Sequence, residues 1–172
     1  MKLAALFSGG KDSTYAIHLA KKLSHSVDVL LTLYPHSDES HLLHHPNIKF
    51  TTLQSESMGI PQLIEEIPSV ENETEFKKLE KLITLAKENH SIEGIVHGGI
   101  LSKYQKDNFS LICQKNDLEI ISPLWNKNPE SYMKELLEEN FEYIISSVSC
   151  DGLDDSWLGQ KIDENGLKTL EN

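Results

Sequence analysis

The chain alternates short apolar runs with longer amphipathic stretches, and this alternation predicts most of its elements. Leu3-Ala4-Ala5-Leu6-Phe7 is a continuous apolar run of the length of a buried strand. Residues 12–23 follow as a helix, with Tyr15, Ala16, Leu19, Ala20 and Leu23 on one face. Val27 to Tyr34 predicts a second strand ended by Pro35, and Ile48 to Leu53 predicts a third. The intervening residues 36–47 read as irregular or as a short helix. Pro61 to Glu66 reads as a helical turn, since proline suits the first helical position. Phe76, Leu79, Leu82, Ile83 and Ala86 fall at helix spacing, and Ile92 to His97 predicts a fourth strand ended by Gly98-Gly99. Leu101, Tyr104, Ile112 and Cys113 mark a helix ending near Asn116, with a short strand at Glu119 to Ser122. Pro129 to Asn140 predicts a helix carrying Tyr132, Met133, Leu136 and Leu137. Tyr143 to Val148 predicts a last strand, and a helix start is expected near Asp163.

Strands that alternate with helices point to a three-layer α/β/α, Rossmann-like fold with a mainly parallel twisted sheet and a short C-terminal extension. The break at Pro123 to Pro129 sets the expected boundary between a domain of residues 1–124 and a smaller segment of residues 125–172. In such sheets ligands bind at the carboxyl ends of the strands near a switch point. Strands one and four are neighbours in a doubly wound order, so the turns Gly9-Gly10 and Gly98-Gly99 are expected to flank one ligand.

Composition narrows the ligand. With 172 residues and 38% hydrophobic content the chain can bury a core. The net charge is −11, and all 16 basic residues are lysines. Nucleic acid is therefore not an expected partner, and bidentate guanidinium clamps for phosphate are absent. Cys113 and Cys150 form no C-x-x-C pair, which excludes zinc ribbons and disulfide frameworks; Cys113 reads as a small core residue. No apolar stretch approaches 18 residues and no signal-peptide pattern opens the chain, so a cytoplasmic protein without a membrane partner is expected. His36, His41, His44 and His45 match no zinc spacing.

The chemistry concentrates in Ser8-Gly9-Gly10-Lys11-Asp12-Ser13, where the first strand gives way to a helix. Glycines let backbone amides approach an anion, a helix start presents N–H groups, and Lys11 adds a full positive charge. Ser8 and Ser13 add hydroxyls. The spacing fits neither a Walker loop nor a dinucleotide fingerprint. Asp12 either holds Mg²⁺ or caps the helix, and Ser13 either bonds a phosphate oxygen or caps. Gly98 and Gly99 are expected near a ribose or α-phosphate, with Ser102 and Gln105 as polar contacts. Tyr104 reads mainly as core. Asp154-Asp155 before Ser156 reads as a helix cap, and Trp125 and Trp157 as packing anchors.

The six-residue turn resembles the PP-loop, S-G-G-x-D-S, of the N-type ATP pyrophosphatases, enzymes that cleave ATP between its α- and β-phosphates. Further along, His44-His45-Pro46-Asn47 and Leu53-Gln54-Ser55-Glu56-Ser57-Met58-Gly59-Ile60-Pro61 are similar to a segment of the diphthine–ammonia ligase family. His97 to Lys106, Pro123-Leu124-Trp125 and Gly152 to Gly159 continue that resemblance in order over nearly the whole chain. The resemblance implies an adenine nucleotide alpha hydrolase-like fold and an ATP-dependent amide ligase with Mg²⁺. That enzyme adenylates a carboxylate, diphthine on elongation factor 2, and ammonia then displaces AMP. It carries over Lys11, Asp12 and Ser13 as catalytic, and His44, Asn47 and Tyr104 as substrate-side groups. The family's glycine- and glutamate-rich tail motif is not found before Asn172, so the C-terminal segment is expected to be shortened. A nucleotide-binding protein without turnover, or an adenylating enzyme with another acceptor, is the alternative.

Overall fold

In the computed structural model, residues 1–35, 47–67, 72–149 and 152–170 are described. They fall into two compact units, Met1–Trp125 and Asn126–Asn172.

The first unit is built on five parallel strands: β1 (Lys2–Leu6), β2 (Ser26–Pro35), β3 (Gln62–Ile67), β4 (Gly94–Val96) and β5 (Glu119–Ile121). Their order across the sheet is β3-β2-β1-β4-β5. The chain therefore winds outward from β1 through β2 to β3, then returns to the other side of β1. This reversal makes the β1/β4 boundary the switch point, as the alternation predicts. Helices α1 (Lys11–Lys22), α2 (Thr51–Met58), α3 (Asn72–His90) and α4 (Lys103–Lys115) connect the strands.

Both faces of the sheet are covered, which explains why its central strands read as continuous apolar runs. On one face Ala4, Leu6, Val29, Leu31 and Leu33 pack against Leu79, Leu82, Ile83 and Ala86 of α3 and Phe109, Ile112 and Cys113 of α4. On the other, Leu3, Ala5, Phe7 and Leu30 meet Ala16, Ile17 and Ala20 of α1. Leu3 pairs with Val27 but Ala4 pairs with Val29, so Asp28 is an extra residue in the ladder. That single-residue slip keeps Val27 and Leu30 on one face although they are three positions apart. Cys113 is the core residue expected of it, and burial pushes its thiol up to about 11.

Two predicted elements exchange places. Ile48 to Leu53 is not a strand: Ile48–Phe50 is a 3-10 turn that runs into α2. The Thr51 hydroxyl donates to Ile48 O (2.7 Å), and Gly59 closes α2 in the left-handed region at φ 64°. Conversely, Gln62–Ile67 is the edge strand β3 rather than a helical turn. Pro61 lies just before it and offers its carbonyl to Leu30 N–H, a position where a missing proline donor costs nothing. Glu65 on this edge is held by Lys78 (2.5 Å) and Lys81 (3.0 Å) of α3, and the Lys78 contact first of all lowers its pKa.

The second unit carries α5 (Pro129–Glu138) and α6 (Glu164–Leu170). Asn128 caps α5 by accepting from Ser131 N–H (2.9 Å), with Pro129 opening the helix and Tyr132 and Leu136 buried. The strand expected at Tyr143 to Val148 is reduced to one antiparallel bridge between Ile144 and Lys161. Its β-branched residues find a single short partner, and Ile144 stays exposed. Asp154 caps a 3-10 turn at Asp155–Trp157, accepting from Ser156 N–H (2.9 Å).

Gly94 lies where β4 is squeezed between its neighbours. A Cβ there would stand 2.8 Å from Glu119 O on β5 and 3.0 Å from Leu3 Cδ2 on β1. Gly94→Ala is expected to cost about 1–3 kcal/mol in urea unfolding; an unchanged midpoint would show that β4 and β5 separate freely.

Candidate functional site

The end of β1 is fixed before the chain turns. Phe7 N–H donates to Leu31 O (2.8 Å), and the buried Thr32 hydroxyl donates to Phe7 O (2.7 Å). Gln62 Nε2 then donates to Thr32 Oγ1 (2.7 Å), so three strands hold the carbonyl from which the glycine turn departs. Thr32 carries no sequence signal beyond being polar in an apolar strand, and Gln62, in a strand of mixed polarity, carries none.

Gly9 adopts φ +80°, a left-handed conformation that favours glycine. Gly10 is the N-cap of α1 and uses no side-chain cap. This overturns the capping readings of Asp12 and Ser13, which are instead the second and third residues of the helix. Asp12 Oδ1 pairs with Lys11 Nζ at 2.7 Å. The Ser13 hydroxyl donates to Gly10 O (3.0 Å) and accepts from Ser8 Oγ (3.4 Å), while Thr14 Oγ1 also donates to Gly10 O (3.0 Å). The hydroxyls thus tie the turn to the first helical turn. The N–H groups of a helix's first turn point outward along its axis, where an anion is favoured.

The second glycine turn meets the first turn of α1 directly. A Cβ on Gly98 would stand 2.5 Å from both Asp12 C and Asp12 O, and 2.7 Å from Ser13 N. Gly98 therefore lacks a side chain because the first turn of α1 occupies that space, and the glycine does not simply open the backbone to a ligand. Gly99 N–H donates to His97 Nδ1 (3.0 Å), and a Cβ on Gly99 would lie 3.3 Å from Gln105 Oε1. Ser102 caps α4, accepting from Gln105 N–H (3.3 Å). Tyr104 does not join the core: it is 46% exposed at the start of α4, and the buried face of that helix is Phe109, Ile112 and Cys113. Asn47 precedes the 3-10 turn that leads into α2, and its carbonyl accepts from Phe50 N–H (3.0 Å). His44, the other loop histidines and Cys150 lie outside the described residues.

Residue-by-residue reading assigned His97 no role. It is buried at the end of β4, edge-on to Phe109 with ring centroids 5.1 Å apart. Because Nδ1 accepts from Gly99 N–H, the ring proton sits on Nε2, which donates to Ser122 Oγ (2.6 Å) at the end of β5. A ring so arranged is not a base toward Ser122; it braces the second glycine turn. Burial first, and the nearby Lys106 charge second, push its pKa down to about 4. Lys106 itself lies over Trp125, 4.2 Å from the ring centroid, consistent with an anchoring role for that indole.

The donor set suits a phosphate chain: an outward-facing helix start, a left-handed glycine and a lysine. It suits Mg²⁺ only in part. Among the described residues no three histidine, cysteine, aspartate or glutamate side chains cluster as a metal site. Asp12 is the one carboxylate at the turn, so a magnesium ion there would take most of its ligands from phosphate and water.

Comparison with known proteins gives matches along nearly the whole chain. The diphthamide synthase N-terminal domain family matches residues 1–120, and the diphthamide synthase C-terminal domain family matches residues 128–172. A diphthine–ammonia ligase of Bos taurus is 32% identical over 189 aligned positions, covering 99% of this chain and 71% of that protein. The Rattus norvegicus protein of the same name is 33% identical with the same coverage. The Schizosaccharomyces pombe relative is 28% identical, and the match spans 30% of its length. A solved structure described as a predicted subunit of tRNA methyltransferase from Methanocaldococcus jannaschii superposes with a TM-score of 0.50 at 17% identity. It covers 88% of this chain and 82% of that one, a likeness of fold.

The His97 ring gives a pH signature. Its folded pKa lies below the ordinary value of 6.5, so the unfolded chain takes up the proton first. Its contribution is complete above about pH 6.5 and is lost as pH falls toward 4, with a slope of up to about 1.4 kcal/mol per pH unit. Urea unfolding from pH 7 to 4.5 should therefore weaken more steeply for the native chain than for His97→Asn. Parallel curves would show that the ring titrates normally.

Proposed function

This chain belongs to the diphthamide synthase family, and we propose that it is an ATP-dependent amide ligase whose acceptor is the diphthine carboxylate of elongation factor 2. One observation carries the reading. The first turn of α1, which Ser8-Gly9-Gly10 leads into and which begins with Lys11, packs against Gly98 at the β1/β4 switch point.

A carboxylate is a poor acyl donor because its leaving group would be oxide. In the proposed reaction a carboxylate oxygen attacks the α-phosphorus of ATP, the bond to the β-phosphate oxygen breaks, and pyrophosphate departs with the bonding pair. Ammonia then attacks the acyl carbon of the adenylate, loses a proton and expels AMP, leaving the amide. The first step builds negative charge on the departing pyrophosphate. The amides of Gly9, Gly10 and the first turn of α1, with Lys11, are the groups suited to receive it, each oriented donor worth on the order of 3 kcal/mol. The hydroxyls of Ser8 and Ser13 hold that turn in shape. Gly98 and Gly99 border the ribose or α-phosphate, and Gln105, over Gly99, and Ser102 supply polar contacts.

Mg²⁺, when bound with ATP, neutralises phosphate charge, and Asp12 is the residue suited to hold it. The exposed Tyr104 is available to the protein substrate, and the resemblance adds Asn47 and His44 as substrate-side groups. No helix among the described residues is long and apolar enough to cross a membrane; a cytoplasmic setting matches an elongation-factor substrate.

Incubation with ATP, Mg²⁺, ammonium and unamidated elongation factor 2 should release AMP and pyrophosphate. ADP and phosphate would rule out the assigned cleavage, and no AMP with any acceptor would favour a nucleotide-binding role without turnover. Lys11→Ala should weaken pyrophosphate binding about tenfold or more while sparing adenosine. Equal loss of both in calorimetry would make Lys11 structural.

A further inference from the structure

Helix α2 reaches back to the glycine turn through one side chain. Gln54 Nε2 donates to Gly9 O at 2.9 Å. The fit is close: a Cβ on Gly9 would stand 2.4 Å from Gln54 Oε1 and 3.0 Å from Thr51 Cγ2. Thr51, one turn earlier, is buried and anchored by its own bond to Ile48 O. The next residue, Ser55, donates to Ile60 O (2.6 Å), so the helix that carries Gln54 is secured on both sides of it.

The consequence lies in the peptide plane. A trans peptide sets its C=O and N–H antiparallel, so fixing Gly9 O fixes the direction of Gly10 N–H on the opposite side. Glycine at φ +80° offers little steric resistance to rotation of that plane. Rotated by half a turn, it would present a carbonyl where a donor is needed, and an anion would meet negative charge. Gln54 is held on the α2 side of the loop, so the Gly10 amide faces away from that side.

We propose that Gln54 is a positioning residue for phosphate: by donating to Gly9 O it locks the Gly9–Gly10 peptide with its N–H presented to the pyrophosphate half of ATP. This rests on the phosphate reading of the turn given above, and adds to it a residue that acts through Gly9 without touching the ligand. Thr51 and the rest of α2 supply the rigid mount.

The test uses the full chain with Gln54→Met, which keeps length and loses the donor, and Gln54→Glu, which replaces the donor with an anion. Calorimetry with inorganic pyrophosphate and with adenosine reads the two halves of the nucleotide separately, and the Gly10 amide resonance reports the plane directly. Gln54→Met should bind pyrophosphate about tenfold more weakly, with adenosine affinity within about twofold of the native chain. Gln54→Glu should bind pyrophosphate more weakly still, and both should shift the Gly10 amide without lowering the thermal midpoint of the neighbouring core. Pyrophosphate affinity unchanged in both variants, or pyrophosphate and adenosine lost equally, overturns the proposal. A native chain that binds neither ATP nor pyrophosphate overturns the phosphate reading itself and the role of Gln54 with it. The two failures are told apart by the native protein alone.

Discussion

At the switch point, Gly98 has no room for even one methyl group, because the backbone of Asp12 and Ser13 fills the space beside it. This main-chain contact sets the spacing between the two halves of the sheet at their carboxyl ends. It depends on β1 and β4 being hydrogen-bonded neighbours, Leu3 to Gly94 through Ala5 to Val96. Once that distance is set, the departure of α1, the braced ring of His97 and the position of Gln105 follow from short covalent tethers. Any side chain at position 98 would push the second turn away from the first and undo the convergence.

The polar groups around the two turns do different work from the residues a ligand would touch. Thr32 and Gln62 hold the end of β1 from one side of the sheet, and His97 with Ser122 holds the end of β4 from the other. Each makes at least one hydrogen bond within the protein, which offsets part of the desolvation cost of a buried polar group, while Gln62 Oε1 is left without a partner. Loops that would otherwise be mobile are thereby given fixed starting points on rigid strands, the arrangement that an adenylating site needs if its donors are to be oriented before charge develops.

The sheet and its central strands were legible in the residues because burial on both faces leaves uninterrupted apolar runs, and because Tyr15, Ala16 and Ala20 or Leu79, Leu82, Ile83 and Ala86 repeat at helical spacing. The glycine turn was legible for a different reason: Ser8 to Ser13 combines residue types that few other geometries need. The exchange of α2 and β3 was not. Ile48, Phe50, Thr51 and Leu53 mimic a strand in composition, and the helix there is decided by side-chain bonds to the backbone and by Gly59, which act over single turns. Gln62 to Ile67 is mixed in polarity because it sits at a sheet edge and pairs Glu65 with lysines of α3. That misreading hid Gln54, whose relation to Gly9 exists only if residues 51–58 are helical. His97 was hidden differently: a histidine closing a strand looks the same whether it faces water or a buried serine.

The strand order also ties the site to the route by which the molecule is made. The residues that form its first turn leave the ribosome well before their partner strand and that strand's outer neighbour. During synthesis the opening glycines must wait, without a completed counterpart, until the stretch ending at Ile121 has emerged. Affinity for a nucleotide should thus arise late and abruptly, making ligand capture a report on the maturation of the whole sheet.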